Sequence, residues 1–364
     1  MRSPSAASSM LGTPTQGSLL VRVEADAKGG TGHAMRCIAL AQAWQDAGGG
    51  PVRFLMTHCG EGLAARMRRE EIALERVEGA PAPGSQADAA QTLALARAGL
   101  TSWIVVDGYW ADAAYTTSLC GQGPGLLCID DLGEAGPYAA DLVLNQNLYA
   151  EPKMYADRAS HTELLLGADF ALLRREFSAY RGFPRTIPAQ ARHILVTLGG
   201  SDPANLTRLA LRALAGFAGA AEVRVLVGPE NPRGEALRAE AAKAGLAGSL
   251  LTGVEDVPGL LAWSDLAVTA AGSTCWELAF LGVPALTIAV APNQGPIAES
   301  LSRAGIARNL GWYGGVNEEG LTRAVAELSR DHAARARLSE AGRRLVDGAG
   351  AERVARRLAT AQAA

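Results

Sequence analysis

Short apolar runs alternate along this chain with longer stretches whose apolar positions recur at helical spacing. In the first half the runs predict strands over 19–24, 52–57, 72–77, 103–107, 126–130 and 142–144. In the second half they predict strands over 193–198, 222–227, 250–252, 266–269 and 285–288. The Ala- and Arg-rich stretches between them, such as 34–47 and 86–98, read as helices. Apolar, β-branched strands separated by helices belong to parallel sheets covered on both faces. The expected fold class is therefore α/β, with two Rossmann-like domains facing across a cleft.

Punctuation along the chain sets the expected organisation. Gly182, Pro184 and Pro188 lie in the polar segment 181–192, which reads as a linker. It separates an N-terminal domain, 18–180, from a C-terminal domain, 193–348. A C-terminal helix is expected over 349–364. Residues 1–17 are rich in Ser, Thr, Pro, Ala and Gly and lack the apolar core of a signal peptide, so they read as a disordered extension. The most apolar region, 266–292, is broken by Glu277, several glycines and Pro284. It reads as a buried strand–helix–strand, not a membrane span.

Composition narrows the function classes. At ~150 residues per domain, 364 residues suit two domains. A formal charge of −3 argues against a broad basic surface for nucleic acid, while leaving room for a small phosphate site. Among 34 basic residues only Lys28, Lys153 and Lys243 are lysines, a skew that fits GC-rich coding. Anion binding should then rest on backbone N–H groups and helix ends. The five cysteines, Cys37, Cys59, Cys120, Cys128 and Cys275, are odd in number and widely spaced, which fits a reduced cytoplasm.

Candidate chemistry sits at strand ends. Gly29-Gly30-Thr31-Gly32-His33 follows the first strand and opens a helix. Its glycines permit a sharp turn and close approach to a ligand, and the helix start offers N–H groups and positive potential. That potential disfavours an imidazolium, leaving His33 suited to act as a general base or else merely to cap its helix. The loop lacks both the GxGxxG fingerprint and a Walker lysine. Gly199-Gly200-Ser201-Asp202-Pro203 repeats the strand–loop–helix arrangement in the second half. It could hold a diphosphate or simply start a helix, with Ser201 or Asp202 as N-cap and Pro203 at the first helical position. Ala270-Ala271-Gly272-Ser273-Thr274-Cys275-Trp276-Glu277 offers small residues, two hydroxyls and a first-turn carboxylate. Such a segment suits a phosphate and a ribose, or only a stable helix end. Asn293-Gln294 opens the next helix. Asp107-Gly108-Tyr109, Asp130-Asp131-Leu132 and Asn145-Gln146-Asn147 end strands of the first half, on the edge where α/β sheets bind ligands. No metal-ligand spacing and no GxSxG elbow occurs, so no metal or cofactor is expected.

In this combination the chain resembles the PseG-type nucleotide-sugar hydrolases of pseudaminic acid biosynthesis and, more broadly, GT-B glycosyltransferases such as the lipid II N-acetylglucosaminyltransferase. The resemblance covers roughly 19–310. It rests on the strings above together with Ala34-Met35-Arg36-Cys37 and Ala171-Leu172-Leu173-Arg174. It implies hydrolysis of a UDP-linked 2,4-diacetamido-2,4,6-trideoxy hexose by water, with inversion at the anomeric carbon. His33 would be the base and Tyr109 would position the water. Glu277 would hold the ribose. Gly199, Gly200, Ser201, Gly272, Ser273 and Thr274 would lie near the diphosphate, with Asn293 and Gln294 at the sugar–nucleotide junction. Gly30, Gly32, Arg36, Asp107, Asn147 and Arg174 would complete the substrate site. Departures from the family pattern at Glu24, Trp110 and Glu134 bear on which sugar is used, with Trp110 and Glu134 expected near it. The implied partner is the UDP-sugar alone, for a monomer or weak oligomer with no stable membrane association and no nucleic acid. The alternatives are a GT-B glycosyltransferase and a non-catalytic nucleotide-sugar-binding module. His33 counts against the latter, because holding UDP does not require it.

Overall fold

A computed structural model describes residues 17–25, 30–200, 202–228 and 231–361. The expected extension, apart from Gly17, lies outside the described residues, as do Gly29, Ser201 and the last three residues of the expected C-terminal helix. The chain forms two parallel sheets. The first contains β1 (Ser18–Val23), β2 (Val52–Met56), β3 (Ile72–Arg76), β4 (Thr101–Asp107), β5 (Gly125–Ile129), β6 (Leu142–Asn145) and β7 (Glu163–Leu166), in the order β3-β2-β1-β4-β5-β6-β7. The second contains β8 (His193–Thr197), β9 (Glu222–Val227), β10 (Leu250–Thr252), β11 (Leu266–Ala270), β12 (Ala285–Ala289) and β13 (Ala307–Trp312), in the order β10-β9-β8-β11-β12-β13.

Both sheets reverse their winding once, between β1 and β4 and between β8 and β11. Such switch points open a crevice at the carboxyl ends of the strands. Each strand serves two cores. Leu19, Val21 and Val23 of β1 meet the helix Gly32–Asp46 on one face, and Leu20 packs on the other. The fold is thus the expected α/β pair of Rossmann-like domains of GT-B type. Every strand expected from sequence is present; β7 and β13, the edge strands on one side of each sheet, were not expected.

Two segments cross between the halves. Ala168, Ala171, Leu173 and Phe177 follow the first sheet yet pack on Trp276, Leu278 and Phe280 of the second core. The tail forms three helices, Glu318–Arg330, His332–Leu345 and Gly350–Ala361. The last returns to the first half, where Val354 and Leu358 are fully buried against the helix Gly32–Asp46 and its sheet. The indole N–H of Trp103 donates to the Leu358 carbonyl at 2.9 Å.

Candidate active site

Gly30 turns the chain at φ 72°, in the left-handed region that favours glycine, directly before the helix Gly32–Asp46. His33, Arg36 and Cys37 then stand three and four residues apart on one helix face. That face meets the end of β4, where Asp107 is fully buried. His33 Nδ1 lies 2.6 Å from Asp107 Oδ1. Arg36 donates to the same carboxylate from Nε and Nη2, each at 2.7 Å. Cys37 Sγ lies 3.4 Å from Asp107 Oδ2.

The other end of the Arg36 guanidinium donates to Asp131 at 2.9 and 3.0 Å. Asp131 also accepts from Tyr109 Oη at 3.0 Å and from Asn147 Nδ2 at 2.8 Å. The Tyr109 ring stands edge-on to His33, with centroids 4.9 Å apart. Burial alone would raise the Asp107 pKa, but Arg36 and then His33 outweigh it and hold the carboxyl far below its usual range. Burial and the Asp131 carboxylate push the Tyr109 phenol above its ordinary value, so it stays protonated and is a hydrogen-bonding group, not a base. Burial likewise pushes the Cys37 thiol up, which removes it as a nucleophile. With an ionised carboxylate on Nδ1, the ring proton belongs on Nδ1, and Nε2 keeps its lone pair for a proton from elsewhere.

The second half presents its loops to this cluster. A Cβ on Gly32 would stand 3.9 Å from Ser273 Oγ, and one on Gly200 would stand 3.9 Å from Thr31 Oγ1, so the two sets of loops face each other across a space about the size of a methyl group. Asn293 Nδ2 reaches across and donates to Tyr109 Oη at 2.8 Å. Gln294 Oε1 accepts from Val290 N at 3.0 Å, which fixes the turn before its helix, and its Nε2 approaches Gly272. Gly199 has φ 91°. Gly228 runs so close beneath the loop that a Cβ there would lie 2.2 Å from the Gly200 carbonyl oxygen.

Several sequence expectations need correction. Pro203 is not at the first helical position, because the helix starts at Leu206. Asp202 and Asn205, at φ 38° and 54°, form a turn first. The Asp202 carboxylate then accepts from the N–H groups of Leu206 and Thr207, both at 2.9 Å. The resemblance implied Trp110 near the sugar, but its indole packs on the sheet face opposite His33, over the Arg22 guanidinium at 4.6 Å and edge-on to Tyr115 at 5.2 Å. Arg174 is buried and spends both terminal nitrogens on carboxylates, on Glu277 at 2.9 Å and Glu176 at 3.0 Å. It holds Glu277 in place instead of standing open to a ligand. Glu24 accepts from the Thr57 N–H at 3.0 Å and pairs with Arg22 at 2.6 Å, and Glu134 is exposed.

His33, Arg36, Asp107, Tyr109, Asn147 and Asn293 therefore form one connected network. Gly30, Gly32, Gly199, Gly200, Gly272, Ser273 and Thr274 shape the opposed loops. The residue missed as a site member is Asp131, which joins Arg36, Tyr109 and Asn147. The sequence signals for it were its place at a strand end, in Asp130-Asp131-Leu132, and that string's part in the resemblance.

Comparison with known proteins places this architecture. The spore coat polysaccharide biosynthesis protein SpsG of Bacillus subtilis is 29% identical over 217 residues, 59% of this chain and 63% of the relative. A UDP-N-acetylglucosamine–N-acetylmuramyl-(pentapeptide) pyrophosphoryl-undecaprenol N-acetylglucosamine transferase of Halorhodospira halophila is 35% identical over 168 residues, 44% of this chain and 46% of the relative. The chain thus spans less than two thirds of the length of these curated relatives. The crystal structure of Acinetobacter baumannii MurG superposes with a TM-score of 0.64 at 16% identity, covering 94% of this chain and 99% of that one, a likeness of fold. Among the described residues no helix is long and apolar enough to cross a membrane. Residues 193–351 match the model of the glycosyltransferase family 28 C-terminal domain, and they lie within a chain of two-domain GT-B-type fold.

Proposed function

We propose that this chain hydrolyses a UDP-linked 2,4-diacetamido-2,4,6-trideoxy hexose, releasing UDP and the free sugar for pseudaminic acid biosynthesis. The observation that carries the reading is the His33–Asp107 pair at 2.6 Å, set at the first sheet's switch point and facing the loops of the second half. Water attacks the anomeric carbon as the bond from that carbon to the UDP oxygen breaks, which inverts the centre. The water proton passes to His33 Nε2, and Asp107 holds the ring in the tautomer that can take it. Asp107, Asp131 and Arg36 together carry one net negative charge, which the arriving proton neutralises.

The second half carries the nucleotide. Backbone N–H groups of the loops at Gly199–Gly200 and Ser273–Thr274 receive the diphosphate, whose growing charge on leaving they stabilise. Glu277, braced by Arg174, takes the ribose hydroxyls. The family 28 domain over 193–351 supports this division of labour, as does the UDP-sugar in the name of the Halorhodospira relative.

The test is incubation of the purified chain with the UDP-linked sugar, without acceptor, followed by NMR. UDP and free sugar are expected. No release refutes the hydrolase, and release only on addition of an acceptor favours the second reading, a GT-B glycosyltransferase. That second reading draws on the same family match.

A further inference from the structure

The first sheet buries an ion pair that the proposed chemistry does not use. Arg22 of β1 and Asp88 of the helix Gln86–Ala98 are both fully buried, with Nε donating to Oδ1 at 2.8 Å and Nη2 to Oδ2 at 3.1 Å. Arg22 shares the face of Leu20, opposite the one that carries His33. Such a pair is seldom more stabilising than apolar side chains of the same volume, and here its neighbours point to another use.

Both partners grip Trp110. The Arg22 guanidinium lies 4.6 Å from the centre of the indole, and Tyr115 stands edge-on to it at 5.2 Å. The Asp88 carboxylate accepts from the Gly84 N–H at 2.8 Å. Gly84, at φ 82°, then lies so close to the backbone of Trp110 that a Cβ there would stand 2.3 Å from the Trp110 carbonyl oxygen. The indole folds back over Gly108, where a Cβ would meet its Nε1 at 2.2 Å. Its N–H is buried and, among the described residues, has no acceptor. The residues on either side of Tyr109 are thereby fixed from behind the sheet. Tyr109 itself is 50% exposed, so its own packing does little to hold it.

We propose that Trp110 is a positioning residue for Tyr109, anchored on one face of the sheet so that the phenol ring stands against His33 on the other. The Tyr109 ring meets His33 edge-on with centroids 4.9 Å apart, and its hydroxyl donates to Asp131 and accepts from Asn293. A shift of the turn at 108–110 disturbs all three contacts together. Tyr109 then no longer borders the base that takes the water proton. The part in turnover rests on the hydrolase reading above; the placement of the ring does not.

NMR of the full chain, with its five histidine rings isotope-labelled, reads the placement directly. In Trp110→Ala the His33 resonance should move toward its position in Tyr109→Ala, because the same neighbouring ring is lost, while those of His161 and His193 stay. Turnover should fall about tenfold or more, as a misplaced group in a reacting site costs, with UDP affinity within about twofold. Trp110→Phe, which keeps a ring over Arg22, should recover most of both effects. In a Tyr109→Ala background, Trp110→Ala should cost less than about twofold more, since it acts through a residue already lost. A His33 resonance unmoved by Trp110→Ala, or losses that multiply in full in the double variant, overturns the positioning role. If all five resonances collapse together, Trp110→Leu, which fills the space without a ring, is read by the same two outcomes. A parent chain that releases no UDP overturns the hydrolase reading, and the His33 resonance still decides the placement.

Discussion

The proton on a histidine ring goes where its partner requires, and here the partner is a carboxylate that stays ionised. Replacing Asp107 by Asn removes that requirement while preserving shape. Turnover should fall by about 10²-fold or more, with UDP affinity within about twofold. Steady-state UDP release and calorimetry together check this; unchanged turnover would show that ring orientation is not what Asp107 supplies. His33→Ala should lose a similar ~10²-fold or more, as removal of a general base does. Asp107 also sets an acid limit on stability. Its native pKa is depressed, so its ion pairs stabilise the fold fully above about pH 4, the unfolded carboxyl's range, and that stabilisation fades as pH falls further. Asp107→Asn should therefore flatten the acid side of a thermal-denaturation profile, and an unaltered slope would contradict the assignment. His33 and Asp107 were legible because each lies in a string with a local reason to exist, a glycine turn or a strand end, whereas Arg36 came from the resemblance alone. Asp131 was not, because its role depends on an Arg 95 residues earlier in the chain. Trp110 was misplaced for the same reason: which sheet face takes its indole depends on Arg22 and Tyr115, and no local pattern encodes that.

Elements fix where these residues stand, and two of them can be tested separately. The helix Gly350–Ala361 is last in sequence yet completes the first core, so Leu358→Ala should destabilise the chain by about 2–4 kcal/mol, as a fully buried leucine does when truncated. Denaturant unfolding reads this, and a change below about 1 kcal/mol would mean that the helix is not integral to that core. The loop at Gly199–Gly200 depends on Gly228, where a Cβ would meet a backbone oxygen that cannot swing aside. Gly228→Ala should push the loop off its position and weaken UDP by about tenfold or more if that loop holds the diphosphate, a cost in the range of a displaced pair of hydrogen bonds. Calorimetry with UDP decides, and an unchanged affinity would remove the loop from the nucleotide site. The interior strands were legible because burial on both faces writes an unbroken apolar run. β7 and β13 escaped notice as edge strands, the first only four residues long and the second interrupted by Arg308, Asn309 and Gly311. The return of the last helix to the first half was equally hidden, since an amphipathic face does not name the sheet it covers.

At the scale of the molecule the two halves face each other at Gly32–Ser273 and Gly200–Thr31 across a space that a methyl group would fill, which is too small for a diphosphate. Binding of the proposed UDP-sugar with its diphosphate between Thr31–Gly32 and the loops at Gly200 and Ser273 would require these loops to part, while the Asn293–Tyr109 hydrogen bond favours their meeting in its absence. Such closing and opening serves the proposed hydrolysis, because a shut cleft admits only the water that Nε2 can activate. A cysteine pair can trap the closed arrangement. Thr31→Cys with Gly200→Cys places a sulfur near disulfide reach of the opposing Cβ, and Gly200 lacks the positive φ that would strain a side chain. Mild oxidation of the free protein should join the two, as seen by loss of two thiols in mass spectrometry, whereas saturating UDP should protect them. The joined form should bind UDP at least about tenfold more weakly than the same protein after reduction, since the ligand must now compete with a covalent closure. If the joined and reduced forms bind UDP equally, the nucleotide enters without parting these loops, and the contact between the halves is a fixed wall of the site.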